Sequence, residues 1–325
     1  MGMELVTKKR LELYSGRSHP ELAEEIADHL GVRLGQPNLQ TYPNGEIHCR
    51  FNESIRGTDV FIVQTHYGSI NDSIVEQLIM IDAAKRASAK RITAVCPFYG
   101  YSRQDRKSSG REPITAKLIS DLLMAAGANR IVSVDLHSGQ IQGFFNGPVD
   151  HLTAMPVLVG YLKRNDPGEM VVVSPDAGRV KVAERYSQLL DAEMAFVRKL
   201  RPRGNTGSVQ ALDAVGPIEG RTCVLIDDMI DTAGTMCAAA ELLADRGATE
   251  VWAMATHGVL SDPAIDRLKN SKLTRVVITN TVPLDDDRRI DKIEILSVAK
   301  IIADAIDAVF EDTSVSEIFD GHNQA

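Results

Sequence analysis

Short apolar segments alternate with amphipathic segments along the whole chain, and this alternation limits the possible folds most. Runs such as 92–96 and 170–173 have the length and β-branched composition of buried strands, whereas 72–88 and 301–309 repeat apolar residues at helical spacing. Alternation of strands and helices along a chain is typical of a parallel sheet covered by helices on both faces. We therefore predict an α/β fold with two similar doubly wound, mainly parallel-sheet domains.

The length of the chain is compatible with two such domains. A chain of 325 residues has room for about two cores that are stable without disulfides or metals. No low-complexity segment or long linker separates the halves, so the boundary is placed where the alternation restarts, after residues 148–151. We predict an N-terminal domain over 1–151 and a C-terminal domain over 152–325, whose last helix can pack back on the first domain.

Charge and composition exclude several classes of protein. The net charge of -8 argues against nucleic-acid binding, which normally requires a basic balance. The four cysteines form no Cys-x-x-Cys pair, which argues against a zinc site or a disulfide framework and predicts buried thiols in a reducing cytoplasm. Residues 1–10 lack the apolar core of a secretory signal, and no apolar run reaches membrane-spanning length. The sequence predicts a cytoplasmic protein without nucleic-acid or membrane partners.

The segment 222–247 carries the strongest functional signal. The apolar run 224–226 leads to two adjacent carboxylates, Asp227 and Asp228, and a segment with small residues then precedes a helix predicted over 236–246. Such a loop directs backbone N–H groups and the positive end of the helix dipole at one place. The sequence therefore predicts a phosphate-binding loop.

The side chains of this loop indicate which phosphate compound it binds. Thr232 and Thr235 add hydroxyl donors, while no lysine is present, as a Walker loop would require. The phosphate is therefore bound there and not cleaved. Carboxylate oxygens of Asp227 and Asp228 can accept hydrogen bonds from a vicinal diol, which favours a sugar phosphate. The alternative is that the two aspartates only cap the next turn.

Other strand-end loops carry charged residues that suit a nucleotide and a metal ion. Residues 98–111 hold four cationic side chains, which favours an anionic ligand over a merely solvated loop. Asp135 and His137 stand two residues apart, so both can lie on one side of an extended chain, although a lone histidine is often a core residue. Asp176 follows a predicted strand on a turn. Mg2+ prefers a few such carboxylates together with substrate phosphates and water.

Two further loops complete the set. Residues 198–205 contain four cations within six residues, followed by Pro202 and Gly204, which discourage regular structure. A basic loop of this kind is either a solvated loop or a mobile lid over transferring phosphates, whose reaction depends on positioning and charge neutralisation. Residues 42–46, Tyr-Pro-Asn-Gly-Glu, have the composition of a turn.

The stretch Asp-Asp-x-x-Asp-Thr-x-Gly-Thr at 227–235 resembles the loop that binds phosphoribosyl pyrophosphate in phosphoribosyltransferases and in ribose-phosphate pyrophosphokinase. A phosphoribosyltransferase would share this loop but would usually have about half the length. The whole set of loops, in its order along the chain, resembles ribose-phosphate pyrophosphokinase; its other members are 42–46, 98–107, 135–145, 174–178 and 198–205.

The resemblance implies an activity. The chain is expected to transfer the β,γ-diphosphoryl group of Mg-ATP to the anomeric hydroxyl of ribose 5-phosphate, giving 5-phosphoribosyl 1-pyrophosphate and AMP. One alternative remains open, a non-catalytic regulatory homologue that binds nucleotide and partner subunits. A phosphoribosyltransferase is the other alternative.

The resemblance also implies roles for individual residues. ATP would be bound by Asn44, Gly45, Glu46, Arg103 and Gln104. The metal ion, Mg2+, would be held by His137 and Asp176, with Asp135 assisting. Catalysis would depend on Lys199 and Arg201. Ribose 5-phosphate would be bound by Arg201, Asp227, Asp228, Asp231, Thr232, Ala233, Gly234 and Thr235.

The assembly and regulation of the family are implied as well. Its members form hexamers built from dimers, in which the turn at 42–46 of a neighbouring subunit completes the ATP site. Residues 314–319 match a segment that contributes to phosphate and nucleotide regulation. Three positions depart from the family pattern. Ala233 stands where the family commonly has a glycine, Arg179 stands where it commonly has a small residue, and Leu200 stands where it frequently has a basic residue.

Overall fold

The structure is a computed structural model that describes residues 9–200 and 211–319, with the backbone alone at residues 199, 200 and 211. The described residues form two compact units. Unit 1 contains the described residues up to Thr153 and those from Ala299 onward, and unit 2 spans Ala154–Val298. The chain therefore returns to unit 1 for its last helix.

Unit 1 is an α/β unit with a parallel sheet. Its strands within the described range pair in the order β2-β1-β5-β6-β7-β8, every neighbouring pair being parallel, and β3 and β4 form a separate antiparallel hairpin. The elements are β1 (Leu11–Ser15), α1 (Pro20–Leu30), β2 (Leu34–Gly35), β3 (Asn38–Thr41), β4 (Ile47–Arg50), β5 (Asp59–Val63), α2 (Ile70–Arg86), β6 (Arg91–Cys96), α3 (Thr115–Ala126), β7 (Arg130–Val134), a 3-10 helix (Gly139–Phe144), β8 (Val149–Leu152), α8 (Ala299–Glu311) and a second 3-10 helix (Val315–Phe319).

The core of unit 1 follows from the apolar patterns of its elements. Strand β5 is buried along its whole length, as expected for a strand with helices on both faces. Helix α8 contacts α1, and its apolar side is buried as the sequence predicts. Arg91 fixes the end of α8, because its guanidinium pairs with Asp59 (2.5 Å) and with Asp312 (2.5 Å). The buried residues of that helix side are Ile301, Ile302, Ala305, Ile306 and Val309.

Unit 2 has the same kind of architecture. The described strands pair in the order β11-β10-β9-β12-β13-β14-β15, in which β10 and β11 are antiparallel and the other neighbours parallel. The elements are α4 (Met155–Asn165), β9 (Met170–Ser174), α5 (Val180–Leu190), β10 (Glu193–Leu200), β11 (Ala211–Val215), β12 (Thr222–Ile230), α6 (Gly234–Asp245), β13 (Glu250–Gly258), α7 (Ala264–Asn270), β14 (Arg275–Thr279), a 3-10 helix (Asp286–Arg288) and β15 (Ile293–Leu296). The predicted α/β fold with mainly parallel sheets is confirmed.

Two strands of unit 2 are longer than the apolar runs that predict them. Strand β12 continues past Ile226 to Ile230, because β13 continues beside it and pairs Met229 with His257. The carboxylates of the phosphate-loop segment therefore lie within the strand and not after it. Strand β10 continues to Leu200, where the sequence predicts irregular structure from residue 198, because β11 satisfies its backbone groups as an antiparallel partner. Residues 201–205 of the predicted lid lie outside the described residues.

The thiols match the prediction only in part. All four cysteines are free; Cys96 and Cys223 are buried, whereas Cys49 and Cys237 are half-buried. Burial raises the pKa of the Cys96 thiol to about 12, which keeps it protonated and unreactive at neutral pH. In the ranges that the structure describes, none of the helices combines the length and the apolar character needed to cross a bilayer.

Candidate active site

Asp227 and Asp228 lie in the part of β12 that no longer pairs with β9. The ladder between β12 and β9 ends at the pair Leu225 and Val173, whereas the ladder to β13 continues. Asp227 Oδ1 accepts a hydrogen bond from the backbone N–H of Asp228 (2.8 Å), which fixes the rotamer of Asp227. Both carboxylates are mostly enclosed, with 18% of the Asp227 side chain and 6% of the Asp228 side chain exposed. The strand therefore presents two adjacent, oriented groups of acceptors.

The segment between β12 and α6 has the geometry of an anion-binding loop. Ala233 adopts a left-handed conformation (φ 59°), and α6 begins at the next residue, Gly234. Arg267 of α7 donates a hydrogen bond from Nη1 to the carbonyl oxygen of Thr232 (2.9 Å), which anchors the loop from its outer side. Thr232 and Thr235 are exposed on either side of this turn. Two exposed hydroxyl residues thus lie within two residues of the N-terminus of a twelve-residue helix, a position that favours anions.

An arginine that sequence reasoning did not assign to the site contacts both carboxylates. Arg179 Nε lies 3.0 Å from Asp227 Oδ1, and its Nη2 lies 2.6 Å from Asp228 Oδ1. Arg179 follows the turn after β9, the strand next to β12. The sequence analysis noted this position only as a departure from the family pattern. A contact between residues on different strands leaves no mark in a local motif.

The ionisation of Asp227 is shaped by opposing effects. Burial raises its pKa, and the neighbouring Asp228 raises it further by its hydrogen bond and its charge, while Arg179 lowers it. The net direction is upward, because the guanidinium only partly offsets burial and a like charge at contact distance. Arg179 and the hydrogen bond from the backbone N–H of Asp228 both lower the pKa of Asp227 and so oppose its protonation.

The turn at 42–46 joins β3 and β4 and is exposed along its length. The Tyr42 N–H donates to the Glu46 carbonyl (2.8 Å), the Gly45 N–H donates to the Tyr42 carbonyl (2.8 Å), and Asn44 Oδ1 accepts from the Glu46 N–H (3.2 Å). Gly45 has a φ of 92°, which is the conformational reason for a glycine there. The turn geometry expected from its composition is confirmed, and its side chains are available for a ligand or another subunit.

The basic loop after β6 is held in a defined conformation within unit 1. The Gln104 N–H donates to the Tyr101 carbonyl (2.8 Å), and Gln104 Oε1 accepts from the Thr115 hydroxyl (2.6 Å) at the start of α3. Asp105 accepts a hydrogen bond from Gln140 (2.6 Å), which connects this loop to the loop after β7. Arg103 is exposed. The two predicted ATP-binding residues of this loop, Arg103 and Gln104, are thus adjacent and at the surface.

Two buried histidines, which sequence reasoning missed, support the loops of unit 1. His66 follows β5, and its Nδ1 accepts a hydrogen bond from the Gly100 N–H (2.9 Å) while its Nε2 lies 2.9 Å from Gln77 Oε1. His151 in β8 supports the loop after β7, because its Nε2 accepts a hydrogen bond from the Leu136 N–H (2.9 Å). Both imidazoles are almost fully buried. A single histidine next to an apolar strand gives no sequence signal for this role.

The predicted metal ligands fall in both units. Asp135 and His137 follow β7 in unit 1 and are half-buried; Asp135 has a left-handed backbone (φ 37°), and its N–H donates to the Leu152 carbonyl (2.9 Å). Asp176 of unit 2 is exposed on the turn after β9, where its Oδ1 accepts from the Gly178 N–H (2.8 Å). No group of three or more potential ligands is close enough to hold a metal ion by itself among residues 9–200 and 211–319.

The first three residues of the basic segment 198–205 belong to strand β10. Both Nε and Nη2 of Arg198 donate to Asp213 Oδ2 on β11 (2.9 and 2.8 Å), and Arg246 pairs with the other oxygen of the same carboxylate (2.7 Å). The backbone of Lys199 is paired opposite Leu212 in the antiparallel ladder. Arg201, the second predicted catalytic residue, lies outside the described residues.

Two segments of the chain match known domains. Residues 11–127 match the N-terminal domain of ribose phosphate pyrophosphokinase, and residues 193–320 match the phosphoribosyl synthetase-associated domain. The chain is 54% identical over 320 residues to the ribose-phosphate pyrophosphokinase of Streptomyces avermitilis, an alignment that covers 98% of this chain and 99% of the relative. It is 52% identical over 316 residues to the ribose-phosphate pyrophosphokinase of Mycobacterium tuberculosis, covering 97% of both.

The crystal structure of phosphoribosylpyrophosphate synthetase from Mycobacterium smegmatis has the same fold. It superimposes with a TM-score of 0.89 at 51% sequence identity, covering 94% of this chain and 100% of that chain. With 94% of this chain covered, the similarity extends over both units. On this evidence the chain belongs to the ribose-phosphate pyrophosphokinase family.

Proposed function

We propose that this chain transfers the β,γ-diphosphoryl group of Mg-ATP to the anomeric hydroxyl of ribose 5-phosphate, giving 5-phosphoribosyl 1-pyrophosphate and AMP. The observation that carries the proposal is the segment from β12 to α6, which has two oriented carboxyl groups on the strand and, after a short loop, a helix N-terminus with two exposed hydroxyls. Relatives named ribose-phosphate pyrophosphokinase match over nearly the full length of the chain and support the same activity.

The pentose phosphate is assigned to unit 2. Backbone N–H groups of residues 231–235 and the hydroxyls of Thr232 and Thr235 bind the 5-phosphate, which the helix dipole of α6 also favours. Asp227 and Asp228 accept hydrogen bonds from the ribose hydroxyls through their carboxyl oxygens, each of which is an acceptor. The two ends of one small molecule are thereby held by groups on one strand and the loop after it.

The nucleotide is assigned to loops of unit 1. Arg103 and Gln104 bind ATP, the arginine through its affinity for phosphate oxygens. Asn44, Gly45 and Glu46 contribute from the exposed turn of a neighbouring subunit in a homo-oligomer, which we propose to be a hexamer built from dimers. The exposure of that turn and its defined hydrogen bonds support such a contact.

Magnesium is assigned to His137 and Asp176, with Asp135 assisting. These residues fit Mg2+, since the ion commonly takes only one or two carboxylates and completes its shell with phosphate oxygens and water. When bound, the ion neutralises phosphate charge and orients the phosphate chain.

The reaction follows from these assignments. The anomeric oxygen forms a bond to the β-phosphorus of ATP, the bond from that phosphorus to the oxygen bridging it to the α-phosphorus breaks, and AMP leaves with the bridging oxygen. The proton of the anomeric hydroxyl passes to solvent. Lys199 and Arg201 neutralise the charge that develops on the bridging and β-phosphoryl oxygens, as expected for phosphoryl transfer.

Release of AMP by the purified chain tests this function. We expect AMP from ATP and Mg2+ only when ribose 5-phosphate is present, with one phosphoribosyl pyrophosphate formed per AMP. A non-catalytic regulatory homologue would bind the nucleotide and form no AMP under either condition. A phosphoribosyltransferase would consume phosphoribosyl pyrophosphate with a base and would not respond to ATP.

A further inference from the structure

Arg179 joins the two carboxylates of β12 through one guanidinium group. Its Nε contacts Asp227 Oδ1 at 3.0 Å and its Nη2 contacts Asp228 Oδ1 at 2.6 Å, while only 15% of the arginine side chain is exposed. Contacts from two nitrogens of one planar group fix both distance and orientation, which a lysine ammonium cannot do as well. The relative position of the two carboxylates is therefore set by Arg179.

An arginine at position 179 does not stabilise the helix that follows it. It occupies the position before α5 and makes no side-chain capping hydrogen bond. A cation at the N-terminus of a helix is unfavourable, because the helix dipole is positive at that end. The compensating interaction is with the two carboxyl groups, since a negative charge on a group that is buried or mostly enclosed requires a cation beside it.

The local structure holds Arg179 in place. Ser174 Oγ donates to the Asp176 carbonyl (2.6 Å), and Asp176 Oδ1 accepts from the Gly178 N–H (2.8 Å), so the turn before Arg179 is defined by hydrogen bonds. This turn leaves β9 where its ladder with β12 ends, at Val173 and Leu225. The guanidinium thus reaches β12 from the neighbouring strand, on a rigid support.

The contacts of Arg179 with the two carboxylates lie on one oxygen of each. Arg179 approaches the Oδ1 atom of each aspartate, and the N–H of Asp228 also donates to Asp227 Oδ1. A carboxylate has two oxygens and about four acceptor sites, so contacts at the Oδ1 atoms do not by themselves prevent a diol from donating to the same group. Contact with Arg179 and acceptance of hydrogen bonds from a diol are therefore compatible.

We infer that Arg179 is a positioning residue that holds Asp227 and Asp228 in the orientation that binds the ribose hydroxyls, and thereby sets the affinity for ribose 5-phosphate. The inference rests on the proposed assignment of these two aspartates to the pentose. The opposite role, in which Arg179 occupies the place of the diol and must be displaced, predicts the reverse change in affinity.

The variants Arg179→Met and Arg179→Lys test the inference. Steady-state kinetics should show a KM for ribose 5-phosphate at least about tenfold higher in Arg179→Met, comparable to the loss of one hydrogen bond to a charged group. The KM for ATP and kcat should change by less than about threefold, because an interaction made equally in ground state and transition state affects KM alone. Arg179→Lys should recover part of the affinity, since it keeps the charge but loses the two-nitrogen contact.

Calorimetric titration with ribose 5-phosphate provides a second readout and a matched control. Arg221→Met removes an arginine that pairs with Glu193 at the amino end of the same strand β12, so its affinity should equal that of the wild type. If Arg179→Met is poorly folded by circular dichroism, the folded Arg179→Lys variant carries the test, with an expected loss of about threefold or more.

Each outcome decides one question. An unchanged or lower KM for ribose 5-phosphate in the folded Arg179 variants would overturn the inference, the lower KM meaning that the arginine competes with the diol. Equal losses in the Arg179 and Arg221 variants would also overturn it, since both effects would then be structural. Failure of the wild type to bind ribose 5-phosphate would contradict the proposed function itself.

Discussion

The stability of unit 1 should fall as the pH decreases from about 7.5 to about 5, because His66 is buried in its neutral form. Burial lowers the pKa of His66 to about 4, against an ordinary value of 6.5, although its hydrogen bond with Gln77 opposes the change. The Gly100 N–H donates to Nδ1, so the neutral imidazole carries its proton on Nε2 and directs it at Gln77 Oε1. Protonation of Nδ1 would break the hydrogen bond to Gly100.

The magnitude follows from the difference in pKa. Between pH 6.5 and pH 4 the unfolded chain binds a proton at this histidine and the folded chain does not, so acidification favours unfolding. At 1.36 kcal/mol for each unit of pKa, His66 should remove about 2 kcal/mol of unfolding free energy at about pH 5. This is a large share of the stability of an ordinary domain.

The variant His66→Asn isolates this contribution. Its side-chain oxygen can still accept the Gly100 N–H but does not titrate. Urea unfolding would be followed at both pH values by hydrogen exchange in peptides from β5 and β6, with His29→Asn, an exposed histidine of α1, as control. When the pH falls from about 7.5 to about 5, the unfolding free energy of the wild type and of His29→Asn should decrease by about 2 kcal/mol more than that of His66→Asn. Equal losses in all three proteins would refute the assignment of His66 as a buried neutral support.

Other substitutions test the catalytic assignment, the phosphate loop and the packing of the last helix. Lys199→Ala should lower kcat by about 100 to 1,000-fold in the AMP-release assay, and near-normal turnover would contradict its role. Ala233→Val should lower the melting temperature and weaken ribose 5-phosphate binding, because a β-branched residue is strained at a φ of 59°, whereas Ala238→Val in α6 should change binding little. Arg91→Met should lower the unfolding free energy by about 3–5 kcal/mol, because it leaves the buried carboxylate of Asp59 unpaired. Lys300→Met removes an exposed ion pair and should lower the unfolding free energy by under about 1 kcal/mol. Similar losses in the two variants would contradict the argument from burial.

The sequence predicted the elements and groups that are encoded locally. The runs 92–96 and 170–173 predict strands, and β6 (Arg91–Cys96) and β9 (Met170–Ser174) match them within one residue, because apolar β-branched residues act within one segment. The groups of the phosphate loop were predicted for the same reason, since Asp227 to Thr235 are consecutive and their chemistry can be read from one stretch.

Contacts between distant segments were not predictable from local patterns. Arg179 reaches β12 only because β9 and β12 are neighbours in the sheet, which the order of residues does not state. His66 and His151 support loops through single hydrogen bonds from backbone N–H groups, and nothing near them in sequence marks that role. The extension of β10 past Arg198 was missed because its stability comes from pairing with β11 and not from apolar residues.

The most direct test of the pentose site is the affinity of ribose 5-phosphate for the variant Asp227→Asn, measured by calorimetric titration. The site assignment predicts binding at least about tenfold weaker than to the wild type, because the amide nitrogen replaces one of the two oxygens that accept from the ribose hydroxyls. Asp213→Asn, which removes a carboxylate that pairs with Arg198 and Arg246, serves as the matched control and should bind as the wild type does. Equal affinities for Asp227→Asn and the wild type would contradict the claim that β12 holds the pentose.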